Sequence, residues 1–224
     1  MNLLLRPLPR LRAALLAGLL VANILPAAPE KWAADIDSFT ASDASQPPAS
    51  GAVVFVGSSS IRLWATLVED FPGVTTINRG FGGSELADSV FYADRIVIPY
   101  RPRIVVAYAG ENDLWDGKSP GAILADFRAF RAKVHAALPQ TKFLYLAIKE
   151  SPSRVRIREL VRSANRLIAA DCATDPRCRF VDVATPLLDA TGGYRPELFR
   201  EDQLHLRPAG YAIWAKVLAP HLKP

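Results

Sequence analysis

Short apolar runs, each closing on a glycine or a polar residue, recur along the chain. They are Val53 to Val56 before Gly57, Val74 to Asn78, Ile104 to Tyr108, Phe143 to Ile148 and Phe180 to Val183. Unbroken runs of this length, rich in β-branched and aromatic residues, predict strands buried on both faces of a parallel sheet. Between them apolar residues recur at helical spacing. The spacing predicts helices over Ile61 to Val68, Glu85 to Ile98, Ser119 to about Leu138, Arg154 to Cys172 and Pro208 to about Leu218. Ser84 and Ser119 stand where N-caps are needed, and Pro120 suits a first turn. In the fourth helix Val155, Leu160, Val161, Leu167 and Ile168 are expected to face inward. Alternating strands and helices give a parallel sheet covered on both sides. The expected fold class is α/β: one domain, a three-layer α/β/α sandwich of about five strands.

The ends differ from this body. Residues 1–28 hold Arg6, Arg10 and Arg12, then the apolar stretch Ala13 to Leu25, then Pro26-Ala27-Ala28, the layout of a secretory signal. The expectation is export to the periplasm or beyond, with no stable membrane insertion after processing. Residues 29–50, with the run SDASQPPAS, read as an extended lead-in in which Trp32, Ile36 and Phe39 can pack as one helical turn; the domain proper is 51–224. The chain has 224 residues, 50% apolar and 22% charged, enough for a full core. Its net charge is +5, but three of those charges lie in the signal, where no acid offsets them, which leaves +2. That balance excludes a nucleic-acid binder. Cys172 and Cys178 flank the turn residues Asp175-Pro176, and in an oxidising compartment a local disulfide is expected. With no histidine nearby they make no metal site.

Chemistry concentrates in the loops that follow the strands. Serines 58, 59 and 60 come directly after the first strand, where open α/β sheets hold ligands and a following helix aims N–H groups. A serine nucleophile needs a base, and a base needs an acid to orient it. Of three histidines, His135 lies within a helix and His221 in the C-terminal tail, so His205 is the strongest base candidate. Asp202 stands three residues before it, within reach on one turn. Acyl transfer also needs donors for an oxyanion. The glycine loop ending at Gly83 can offer a bare N–H and Asn112 a side-chain amide. The walls expected around such a site are Phe81, Trp115, Tyr194, Phe199 and Leu204.

Four short blocks together resemble the SGNH, or GDSL-type, hydrolase family over about residues 51 to 220. Gly57-Ser58-Ser59 stands for the family's Gly-Asp-Ser, Gly83 for its second-block glycine, Gly110-Glu111-Asn112-Asp113 for its Gly-x-Asn-Asp, and Asp202 to His205 for its Asp-x-x-His. The resemblance implies Ser59 as nucleophile, Asp202 and His205 completing a triad, and an oxyanion hole from Ser59, Gly83 and Asn112. Ser58 replaces the first-block aspartate. Because the family takes its triad acid from the last block, activity is still expected. A Gly-x-Ser-x-Gly elbow is absent, since Ile61 stands at its second glycine. The expected activity is serine esterase chemistry on carboxylic esters, with short acyl groups and no metal or cofactor. The substrate is a small-molecule or glycan ester; acyl transfer to a sugar hydroxyl and an idle glycan-binding module are the alternatives.

Overall fold

The structure is a computed structural model and describes residues 29–223, so the segment read as a signal, 1–28, lies outside the described residues. The apolar runs form strands β1 (Val53–Gly57), β2 (Thr76–Gly80), β3 (Ile104–Tyr108), β4 (Lys142–Leu146) and β5 (Cys178–Val181). They make one parallel sheet in the order β2-β1-β3-β4-β5. The helices are α1 (Ala33–Ser45), α2 (Ser59–Arg62), α3 (Leu67–Asp70), α4 (Leu86–Ile96), α5 (Glu111–Trp115), α6 (Pro120–Ala137), α7 (Arg158–Cys172) and α8 (Pro208–Leu222).

Side-chain alternation divides the core into two layers. Val54, Val56, Val105, Ala107, Phe143 and Tyr145 face α1, α4, α6 and α7, meeting Ile36, Ile96, Phe127, Phe130 and Ile168. Val53, Phe55, Ile104, Val106, Leu144 and Leu146 face α2, α3 and α8. There Trp64 packs against Phe71, Tyr211 and Trp214 with ring centroids 5.1–5.8 Å apart. The sandwich is therefore the three-layer α/β/α arrangement that the pattern predicts.

Some elements differ from expectation. The lead-in is mostly not extended: a 3-10 turn over Pro29–Trp32 runs into α1, which buries Trp32 and Ile36 and packs Phe39 against the core. Ser84 is not the cap of α4. Glu85 is, in a reciprocal box with Asp88. The fourth predicted helix is broken at Arg154, whose φ/ψ of −117°/30° ends helical geometry, and a 3-10 turn (Pro152–Ile157) precedes α7. Val161 and Ile168 are buried as expected, in a stripe shared with Ala164 and Cys172. Val155, Leu160 and Leu167, expected inside, are 58%, 41% and 38% exposed. Cys172 and Cys178 are free thiols with sulfurs 2.9 Å apart, so the expected bridge is unformed in this structure. No helix among the described residues is long and apolar enough to cross a membrane.

Strand order reverses direction at β1, which has β2 on one side and β3 on the other. This is the switch point where the carboxyl ends of a doubly wound sheet open a crevice. Gly57 pairs level with Gly80 and Tyr108, so three loops leave the sheet from one row. The approach is close. A Cβ on Gly57, whose φ is +139°, would sit 1.9 Å from the Tyr108 carbonyl oxygen.

Candidate active site

Ser59 opens α2 immediately above that row. The Ser58 N–H donates to the Tyr108 carbonyl at 3.0 Å and fixes the turn to β3. Asn78 Nδ2 donates to the Ile61 carbonyl at 2.8 Å and the Tyr211 hydroxyl to the Ser60 carbonyl at 2.9 Å, so α2 is held from two sides. Ser58 and Ser60 are buried, while Ser59 is half-exposed.

The loop before α8 brings His205 to Ser59. An isolated bridge joins Phe199 to Leu206, and the Arg200 N–H closes on the His205 carbonyl at 2.7 Å. Between them the chain turns through Gln203 at φ +53°. Asp202 Oδ1 accepts the N–H groups of Leu204 and His205, both at 2.9 Å, and Oδ2 lies 2.6 Å from His205 Nδ1. The other ring nitrogen, Nε2, lies 2.9 Å from Ser59 Oγ, across 146 residues of sequence. A proton on Nδ1, facing the carboxylate, leaves Nε2 as the acceptor for the serine hydroxyl. Burial opposes ionisation of Asp202, but the bonds from the His205 ring and from two backbone N–H groups outweigh it and hold its carboxyl at about 2.

Gly83 comes from the loop after β2 and Asn112 from α5, which follows β3. Gly83 adopts φ +76°, a conformation costly for other residues. The N–H groups of Ser59 and Gly83 make no hydrogen bond among the described residues. Asn112 donates through Nδ2 to the Ser84 carbonyl at 2.9 Å, which ties it to the glycine loop. Its Oδ1 accepts from Arg154 Nη1 at 3.0 Å. Asp113 is buried and accepts from Leu86 N–H at 3.2 Å and from Lys118 at 3.2 Å, locking α5 onto the start of α4. Burial dominates its titration and pushes the carboxyl up to about 6. Gly110 adopts φ +108°, a conformation costly for other residues, and a Cβ there would also meet Ile148 Cδ1 at 2.6 Å.

Several expected walls lie elsewhere. Phe81 is fully buried between Trp32 and Tyr92, at centroid distances of 5.8 and 6.1 Å. The residue directly after a strand still belongs to the core layer, so Phe81 corrects the expectation of a pocket wall. Phe199, which follows a 3-10 turn, is likewise buried, in the layer beneath α8. Trp115 is half-exposed, but the Arg156 guanidinium covers its ring at 3.7 Å from the centroid and that of Arg154 lies at 5.2 Å. Tyr194 pairs with Arg158. Leu204 is half-exposed beside His205. His135 bonds the Thr141 carbonyl at the amino edge of the sheet, away from Ser59.

Sequence reasoning missed the bracket that joins the two halves of the site. Ser153 donates from both N–H and hydroxyl to the Gln203 carbonyl, at 3.1 and 3.0 Å, supporting the Asp202–His205 turn. The adjacent Arg154 reaches Asn112. Beneath them lies a buried cluster in which Glu111 takes bonds from Lys149, Ser151 and Tyr108. Burial, the largest influence, lowers the proton affinity of Lys149 against the pull of Glu111. An arginine in a polar loop and a lysine closing an apolar strand carry no local signal of these roles.

Comparison with known proteins adds to this geometry. No curated protein matches the chain in sequence. The fold resembles a Streptococcus pneumonia protein described as a candidate platelet activating factor, with TM-score 0.76, 21% identity and coverage of 87% of this chain and 94% of that one. It also resembles a GDSL-like lipase from Bacteroides thetaiotaomicron, with TM-score 0.71, 20% identity and coverage of 84% and 97%. An acetylxylan esterase from Geobacillus stearothermophilus superposes with TM-score 0.62, 15% identity and coverage of 79% and 96%. Residues 37–213, well over half of the sequence, match the GDSL-like Lipase/Acylhydrolase family. With that match added to the parallel sandwich and to the loops that converge at its switch point, the chain belongs to the GDSL-like lipase/acylhydrolase family of hydrolases.

Proposed function

We propose that this hydrolase is a serine esterase for short-chain, acetyl-type esters in which Ser59, His205 and Asp202 form the triad. The observation that carries the reading is the continuous line from Asp202 Oδ2 through both nitrogens of His205 to Ser59 Oγ, in steps of 2.6 and 2.9 Å. Such a line lets the imidazole take the serine proton while the carboxylate stabilises the imidazolium. Ser59 Oγ bonds to the ester carbonyl carbon as its proton passes to His205 Nε2. The oxyanion is met by the N–H groups of Ser59 and Gly83 and by the amide of Asn112. As the intermediate collapses, the C–O bond to the alcohol breaks and His205 returns the proton to the leaving oxygen. Water then attacks the acyl-serine, gives its proton to His205, and the acid departs as Ser59 regains its own.

Short acyl groups are favoured because two of the apolar side chains expected as pocket walls, Phe81 and Phe199, are in the core, and Trp115 lies under a guanidinium. The likeness to an acetylxylan esterase agrees with this in fold. The basic and apolar segment at the N-terminus supports action outside the cytoplasm on a small-molecule or glycan ester. The test is p-nitrophenyl acetate turnover with labelling by a fluorophosphonate. Wild type should be labelled at Ser59, and Ser59→Ala and His205→Ala should each lose at least about 10³-fold in kcat. Undiminished turnover by Ser59→Ala would place the nucleophile elsewhere, and an unlabelled wild type would mark the triad as idle.

A further inference from the structure

Four arginines follow one another in the segment Arg154, Arg156, Arg158 and Arg162, and they divide into two pairs. Arg158 pairs with Glu150, and Arg162 with Glu150 and Glu159. Arg154 and Arg156 have no carboxylate partner among the described residues; both lie against Trp115, and Arg154 also bonds Asn112. The nearby acids are engaged elsewhere: Asp202 with His205, Glu111 with Lys149, and Glu85 and Asp113 with Lys118. Asp116, next to Trp115, is exposed and pairs with neither arginine. Across the glycine loop a third unpaired guanidinium, that of Arg62, crowds Gly82, where a Cβ would stand 2.7 Å from its Nε. Uncompensated cations therefore flank both the loop that supplies Gly83 and the helix that supplies Asn112.

We infer that Arg154 and Arg156, held on Trp115 and opposed by Arg62, form an anion subsite, so that the preferred ester carries a carboxylate or a phosphate near its scissile bond. This rests on the esterase reading for its reaction but not for its binding. A planar guanidinium stacked on an indole is pre-ordered and keeps its edge donors free for an oxyanion. Arg154 is half-buried while Arg156 and Arg62 are exposed, so their pull acts at low salt and is screened at high salt, and they would orient the acyl group through the anionic part of the substrate.

Two measurements separate the subsite from the chemistry. Binding of galactose, galacturonate and galactose 6-phosphate to the Ser59→Ala protein is read by calorimetry, without turnover. Either anion should bind at least about tenfold more tightly than galactose at low salt, a gap that narrows at 0.5 M salt. Arg156→Gln with Arg62→Gln should remove most of the difference, and the two anions show whether carboxylate or phosphate is the better fit. Equal binding of all three sugars, or a preference untouched by the double substitution, overturns the subsite. Turnover of O-acetylated methyl galactoside and O-acetylated galacturonate by the wild type is then compared. Loss of both reactions with the binding preference intact would sink the esterase reading and leave the subsite standing.

Discussion

Arg154 Nη1 donates to Asn112 Oδ1 at 3.0 Å, while Nδ2 of the same amide donates to the Ser84 carbonyl at 2.9 Å. A guanidinium can only donate and a carbonyl can only accept, so these partners fix which way the amide faces. One Nδ2 hydrogen remains for the oxyanion. Arg154 is thus a positioning residue for the proposed reaction. Deleting an oxyanion donor outright costs about 10²–10³ in kcat. Loosening one should cost less, so Arg154→Ala should lower kcat on p-nitrophenyl acetate about tenfold with a smaller change in KM. Arg154→Lys, which keeps one donor, should recover much of that loss, and neither variant should shift the pH profile. An alanine variant with wild-type kcat would show that the amide needs no such clamp.

Asp202 titrates at about 2, below an ordinary aspartate. A depressed carboxylate contributes stability that is complete above the unfolded value near 4 and is lost as pH falls toward 2. Its side chain is half-exposed, so the contribution is screened and small. The consequence for rate is sharper. Above about pH 4 Asp202 stays ionised and adds no ionisation of its own to the acid limb of kcat/KM. A log–log plot should fall with a slope of one, and a slope of two above pH 4 would contradict the ionised acid. Asp202→Asn should reduce kcat by about 10²–10⁴ through loss of the tautomer-fixing partner.

How much of this was legible follows from what each residue's signal depends on. Strands came through because continuous apolar runs such as Ile104 to Tyr108 are dictated by burial on both faces. Ser59, Asp202 and His205 carry their signal in short motifs, and the sheet topology brings those motifs together. Phe81 misled because an aromatic next to a glycine loop can face the core as easily as a substrate. Val155 misled because the break at Arg154 leaves it in a 3-10 turn, and Leu160 and Leu167 because the stripe through Val161, Ala164 and Ile168 is too narrow to take in their neighbours. Arg154, Ser153 and Lys149 were invisible because their partners lie 38–50 residues away, a distance at which periodicity holds no information.

Lys149 and Glu111 form an ion pair in which both side chains are at most 5% exposed. Removing one partner of such a pair leaves an uncompensated charge, at a cost of about 3–5 kcal/mol. Lys149→Met should therefore lower the urea midpoint strongly. The pair lies below Tyr108, whose carbonyl holds the Ser58 N–H, so kcat should fall as well. Adding Glu111→Gln to Lys149→Met removes the stranded charge and should restore part of the stability. A double variant no more stable than the single one would show that the cost is cavity and packing, not charge.

Trp32 precedes the family match, yet it supports the site. Its ring meets Phe81 edge-on at 5.8 Å, and a Cβ built on Gly83 would stand 3.3 Å from it, so the indole forms a floor beneath the glycine loop. It is 8% exposed. Truncating a buried tryptophan leaves a cavity and costs about 3–5 kcal/mol. Trp32→Ala should lower Tm by roughly 10 °C, at about 2–4 °C per kcal/mol for a domain of this size. Beyond stability, the loop that presents the Gly83 N–H would lose its floor, so kcat measured well below Tm should drop severalfold. Trp32→Phe keeps an aromatic surface there and should recover more kcat than Tm, because the smaller ring still backs the glycine loop but fills less of the space under α1. If Trp32→Ala loses Tm while kcat at low temperature stays at the wild-type value, the indole stabilises the fold and plays no part in holding the Gly83 N–H.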